Sequence, residues 1–231
     1  MKKLQVLALV ALAMLGLAGC EKATIQNDAT ADVYVEAIKN AEGITVYTAL
    51  HSVISYNGNI SSASAKSPNG TAISLVADAI DPGYSYYNTP VETEYLTTLP
   101  LPGVYTYTVK FDDGEEKIFT NSLSLPVILP ANNMSLTKSV IADTVYVAWD
   151  AIANVHAYKV VIMKGTNRVW TSNLFTVDAP PVPPKIKLIT NTFNSSGSGV
   201  YTIKLIGMYF ESTLTYENLQ AISTEKKDIT L

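Results

Sequence analysis

The sequence predicts an all-β protein built as two tandem β-sandwiches, and three observations predict it. The first is a period of two: in Val104 to Phe111, Tyr105, Tyr107, Val109 and Phe111 alternate with Val104, Thr106, Thr108 and Lys110, giving one buried and one wet face. The second is punctuation, because Asn57-Gly58, Pro68-Asn69-Gly70, Asp81-Pro82-Gly83 and Asp112-Asp113-Gly114 interrupt such runs with turn-forming residues. The third is repetition. TVYTAL at Thr45–Leu50 returns as TVYVAW at Thr144–Trp149, and GVYT at Gly103–Thr106 returns at Gly199–Thr202. Two matches in the same order, each displaced by about 100 residues, mark tandem units of ordinary domain size.

In chain order, the first segment is not part of either sandwich. Met1-Lys2-Lys3 is a basic start, and Leu4 to Leu17 is an apolar run broken only by Gln5 and Gly16. A spanning helix needs roughly 20 apolar residues; this run is shorter and Glu21-Lys22 follow at once, so it has the anatomy of a signal peptide. It stops at Cys20, the only cysteine of the chain. Leu17-Ala18-Gly19-Cys20 resembles the lipobox of bacterial lipoproteins. That resemblance implies a signal peptide over residues 1–19, cleavage before Cys20, and a membrane partner reached through the lipidated Cys20 thiol. Several acyl chains, at about 0.8 kcal/mol per buried methylene, hold where one chain does not. Residues 20–31 then read as a lipidated tether, since EKATIQNDATA is polar and weakly patterned. Enterobacterial lipoproteins retained in the inner membrane tend to carry aspartate after the cysteine. Glu21 here points to the outer membrane of the cell envelope, with the periplasmic and extracellular faces both open.

Residues 32–125 form the first expected sandwich. Asn57-Gly58 reads as a hairpin turn between HSVISY and NISSAS, and Asp112-Asp113-Gly114 as another between Val104–Phe111 and the run that follows. Residues 126–132 are the expected linker, where Pro126 and Pro130 oppose sheet pairing and favour a stiff extended connection. Residues 133–231 form the second sandwich: Val145, Val147 and Trp149 share one strand face, Tyr158, Val160 and Ile162 another, and Tyr201, Ile203 and Leu205 a third. Val147-Ala148-Trp149-Asp150, Ala157-Tyr158-Lys159-Val160 and Gly199-Val200-Tyr201 together resemble a fibronectin type III domain. The resemblance implies that Trp149 packs the core and that Tyr201 forms a tyrosine corner. The first copy is similar to immunoglobulin-like domains, with Leu50 at the place of Trp149, and its PGVYTYTVKFDDGEE segment also resembles the closing hairpin of PKD-type domains. The predicted fold class is therefore all-β, two tandem Ig-like/fibronectin type III-like sandwiches after a lipoprotein signal peptide.

Charge and composition narrow the function. The formal net charge is −4, and loss of Lys2 and Lys3 with the leader takes it to about −6. An acidic surface repels phosphate backbones, so no nucleic-acid partner is expected. One cysteine permits no intramolecular disulfide and no thiolate metal site. His51 and His156 are the only histidines, too few for a zinc site, and read as surface or loop residues. Asp112, Asp113, Glu115 and Glu116 lack the spacing of a calcium loop and read as a solvated hairpin tip. No nucleophile elbow, phosphate loop or opposed carboxylate pair is present. The expectation is a protein without catalytic residues, metal or cofactor. The nearest thing to a binding surface is the group Tyr84, Tyr86, Tyr87 and Tyr95, whose flat rings and hydroxyls suit a glycan or a protein partner. The function these features predict is a lipid-anchored, noncatalytic binding or scaffold protein of the envelope or cell surface, glycan-binding in its first form. The alternative is a structural subunit or anchor of a surface appendage assembled by strand exchange.

Overall fold

The computed structural model describes residues 26–231 except 89, 126–127, 140–142, 177–183, 194–196 and 212–218. Cys20, the signal peptide, the first half of the expected tether and most of the proline run at 179–184 lie outside the described residues.

The first half supplies eight strands: β1 (Asp28–Lys39), β2 (Thr45–Asn57), β3 (Ile60–Lys66), β4 (Ala72–Ser74), β5 (Val76–Ala77), β6 (Ser85–Tyr87), β7 (Gly103–Phe111) and β8 (Glu116–Leu123). The second supplies seven: β9 (Ser135–Lys138), β10 (Thr144–Ala148), β11 (Ala157–Lys164), β12 (Asn167–Thr171), β13 (Lys185–Ile189), β14 (Val200–Phe210) and β15 (Leu219–Thr230). In the first half, β4-β3-β7-β8 form one sheet, packed on β1-β2-β6-β5. In the second, the three-stranded β13-β10-β9 faces β12-β11-β14-β15. Both are sandwiches of the Ig-like and fibronectin type III-like kind, so the all-β, two-sandwich part of the predicted fold class holds.

The alternation read from sequence lands on the two cores. Tyr105, Tyr107, Val109 and Phe111 are buried with Val33, Val35 and Val53 in the first. Val145, Val147, Trp149, Val160, Ile162, Tyr201, Ile203 and Leu205 are buried in the second. The Trp149 ring lies 5.3 Å from Tyr158 and 6.4 Å from Phe175, centroid to centroid.

GVYT has a structural meaning in both copies, because its tyrosine closes a corner four residues upstream. Tyr105 Oη donates to Leu101 O at 2.9 Å, and Tyr201 Oη donates to Gly197 O. The glycine two residues before each tyrosine has positive φ, +123° at Gly103 and +138° at Gly199. That region is strained for any residue with a Cβ, which explains why the repeat keeps glycine there.

The two halves are not separate bodies. β1 of the first pairs in parallel with β15 of the second, Val35 opposite Ala221 through Ile38 opposite Thr224, so one eight-stranded sheet runs β12-β11-β14-β15-β1-β2-β6-β5. Val35 and Ala221, which oppose one another, point to the same side, and both lie in the first core. Leu205, on the same side of β14, lies in the second core. The four- and three-stranded sheets therefore cover the same face of the shared sheet. Its other face carries a third apolar cluster of Met208, Phe210, Leu219 and Ile222, flanked by Tyr34 and Leu50.

Five expectations change. β1 starts at Asp28, so four residues assigned to the tether belong to a strand; Asn27 anchors its start, with Nδ2 donating to Asp113 Oδ2 and Glu115 Oε2, each at 2.7 Å. Asn57-Gly58 is a corner rather than a hairpin, since β2 and β3 belong to different sheets. Leu50 does not replace Trp149 in a core: it faces the third cluster, because the outer face of β2 is covered at that position and the strand is shifted by one residue in its facing. His51 is buried, not superficial, with its ring 5.0 Å from that of Tyr105. The connection at 128–131 is built into the interior: Ile128 is buried in the first core and Ala131 in the second.

Candidate functional site

Two surfaces merit description, and the four sequence-predicted tyrosines divide between them and the core. Tyr86 belongs to the first core; it is 8% exposed, and its hydroxyl donates to Ile60 O at 3.2 Å. It is removed as a ligand contact, because alternation on β6 turns it inward. Tyr84 precedes β6 and is 51% exposed. Tyr87 lies directly opposite Ser52 on one side and Val76 on the other, so all three point to the outer face of the sheet. Ile54 and Tyr56 continue that face along β2 and are exposed, as is Val76. The result is an aromatic and aliphatic strip, Ile54, Tyr56, Val76 and Tyr87, at the free edge of the shared sheet; Tyr84, at the entry to β6, has the parity of Tyr86 and not of Tyr87. Asp81 fixes the turn that leads into it, accepting from Tyr84 N at 3.0 Å and Ser85 N at 3.1 Å.

Tyr95 lies elsewhere. The segment between β6 and β7 is laid along β2, where the Asn88 side chain imitates a neighbouring strand: Oδ1 accepts from His51 N at 2.7 Å and Nδ2 donates to Ala49 O at 3.0 Å. Farther on, Tyr47 and Leu96 exchange backbone hydrogen bonds of 2.7 and 2.9 Å. Between these pins the segment arches over β1 and reaches the second half. Tyr95 Oη donates to Glu36 Oε2 at 2.5 Å, and Thr224 of β15 donates to Glu36 Oε1 at 2.8 Å. Burial, then the Glu36 carboxylate, push the Tyr95 hydroxyl far above its ordinary pKa, so it remains a donor. Glu92, in a single 3-10 turn at Glu92–Glu94, pairs with Lys226 at 2.5 Å.

Under this arch, on the β1–β15 seam, is a cleft of about 480 Å³. Ile38 and Thr224 contribute to its floor, Pro90 and Tyr95 to one wall, and Lys204 and Lys226 to one end. Tyr84, Tyr86 and Tyr87 do not line it. The sequence reading missed Glu36, Lys204 and Lys226, which carry no local signal: they meet only through a parallel pairing between the two halves. Ile54 and Tyr56 were within reach, being the alternate positions to the core residue Val53. Among the described residues no group of three or more His, Cys, Asp or Glu is placed to hold a metal. The hairpin-tip acids instead receive Asn27, and Glu115 lies 3.6 Å from Lys117.

No protein-family model matches the chain, and no curated protein matches it in sequence. Among solved structures, it is similar to a tetra-tandem repeat in the extending region of a large adhesion protein, with 19% identity, a TM-score of 0.33, and coverage of 87% of this chain and 50% of the other. The chain thus spans about half the length of that structure. It is also similar to a chain of a cytokine receptor complex, with 12% identity, a TM-score of 0.28, and coverage of 87% of this chain and 95% of the other.

Proposed function

We propose that this is a lipid-anchored, noncatalytic binding and scaffold protein of the bacterial outer membrane, which contacts glycan through the outer strip of its first sandwich. The observation that carries the reading is the set Ile54, Tyr56, Val76 and Tyr87 on one face, with Tyr84, 51% exposed, at the entry to β6. Exposed aromatic surface next to aliphatic surface suits the apolar face of a sugar ring, and tyrosine loses little conformational entropy on contact. The anchor rests on the lipobox resemblance at Cys20. Cys20→Ala should abolish labelling by radioactive fatty acid, and an acylated variant would overturn the anchor. For the ligand, a glycan array on the delipidated protein should give hits that a Tyr84→Ala/Tyr87→Ala variant loses while keeping its melting temperature. Hits unchanged by that variant would remove the strip from the function.

The second reading, an appendage subunit joined by strand exchange, draws on the β1–β15 pairing, in which one half already completes the sheet of the other. It requires oligomers after removal of the lipid, whereas the binding module should sediment as a monomer.

A further inference from the structure

The seam cleft contains its own indication of ligand chemistry. Glu92 rests its carboxylate on Lys226 at 2.5 Å, yet both side chains are about half exposed, 60% and 48%. An ion pair so open to water contributes little to stability, so an incoming carboxylate can displace it at little cost. Directly across the strand from Lys226 is Lys204. Like charges in that position destabilise a sheet, with Cβ atoms about 4.5–5.5 Å apart. Lys204 forms no salt bridge among the described residues, so the repulsion is not relieved from its side.

The other charges of the cleft are engaged. Glu36 accepts from Tyr95 and Thr224; Glu225 lies 3.5 Å from Lys39, whose Nζ also donates to Ala131 O at 3.0 Å. Lys204 is the cation left over, and among the described residues the one salt bridge of Lys226 is to Glu92, an exposed carboxylate in the 3-10 turn of the arch. Beside them, Pro90 and Tyr95 offer apolar surface, and Asn40 offers its Nδ2 group, its Oδ1 being taken by Glu42 N and Ile44 N. A volume of about 480 Å³ falls within the roughly 300–1,000 Å³ of small-molecule sites.

We infer that the β1–β15 seam cleft binds a carboxylate-bearing sugar, whose acid group takes the place of Glu92 between Lys204 and Lys226 while its ring lies against Pro90 and Tyr95. This site is distinct from the tyrosine strip, and either can fail without the other. Glu92 acts as a resident competitor, which gives the site a signature that a structural ion pair lacks.

The probe is digalacturonate, titrated by calorimetry into the full-length protein in detergent, with neutral galactobiose and the peptide Glu-Glu as separate arms. Digalacturonate should bind, Lys204→Gln should weaken it at least tenfold, and Glu92→Gln should tighten it several-fold by freeing Lys226. Tyr84→Ala/Tyr87→Ala should leave it unchanged, which separates this site from the strip. No digalacturonate binding, equal binding of galactobiose, or a Glu92→Gln variant that binds no better would overturn the inference. Tighter binding of Glu-Glu than of digalacturonate would overturn the sugar assignment in favour of an acidic peptide. Should Lys204→Gln fail to fold, the exposed Glu92→Gln substitution decides the question alone.

Discussion

His51 shows how a single side chain ties the stability of the first sandwich to pH. Its Nδ1 is 2.9 Å from Tyr107 Oη, which in turn donates to Asp32 O at 2.9 Å. The tyrosine has one proton to give, so Nδ1 of the imidazole carries the hydrogen of the first bond. Burial pushes its pKa down to about 4, from an ordinary 6.5. Between those values the unfolded chain holds a proton that the folded chain refuses. Stability is therefore fully present above about pH 6.5 and declines as pH falls towards 4, by an amount on the order of 3 kcal/mol for the whole shift. Urea midpoints measured from pH 7 to pH 4.5 should fall, and His51→Gln should flatten that slope; parallel slopes would place the pH dependence in other groups. The sequence placed this histidine wrongly because composition alone does not reveal a hydroxyl partner fifty-six positions away.

The strand pattern was legible where one face alone is buried and misleading where two are. On β7, β10 and the first half of β14, alternation identified the inward residues, since a period of two leaves only one arrangement with the apolar set dry. The first part of β2 is covered on both sides, with Tyr47 and Ala49 against the first core and Leu50 against the cluster around Met208, so TVYTAL and TVYVAW match as strings while facing opposite ways. The parallel β1–β15 pairing was invisible for another reason: alternation tells which face a residue takes but not which strand lies beside it. With that pairing went the cleft. The pairing is testable at Ala221, which is 1% exposed and packs into the first core from the second half. Ala221→Asp places an unpartnered carboxylate there and should destabilise the protein by about 3 kcal/mol or more. Amides of Val35 to Ile38 should lose their hydrogen-exchange protection in this variant. Protection retained at wild-type level would mean that β15 is dispensable to the first half.

At the scale of the molecule the shared sheet decides how it unfolds. Removing the second sandwich would strip the edge of β1, expose Ala221's side of the first core, and unseat Val155, which packs against both cores. The connection reinforces the union, because Ile128 and Ala131 are buried in different cores and Gln220 of β15 accepts from Ser124 N at 3.1 Å and from Ser124 Oγ at 2.9 Å. A linker so held offers a protease little extended backbone. Tandem domains on a loose linker would melt separately; two halves that share a sheet should melt together. Trp149 is the place to apply the perturbation, since it is 1% exposed in the second core and far in sequence from the first. Trp149→Ala should remove about 3 to 5 kcal/mol, or roughly 6 to 20 °C of melting temperature for a chain of this size. Exchange protection of the Tyr105–Val109 amides reports the first half, and that of the Val160–Ile162 amides reports the second. In the variant both sets should lose protection to the same degree and at the same midpoint. Loss confined to Val160–Ile162, with Tyr105–Val109 unmoved, would show that the seam is a contact between independent domains rather than part of one cooperative fold.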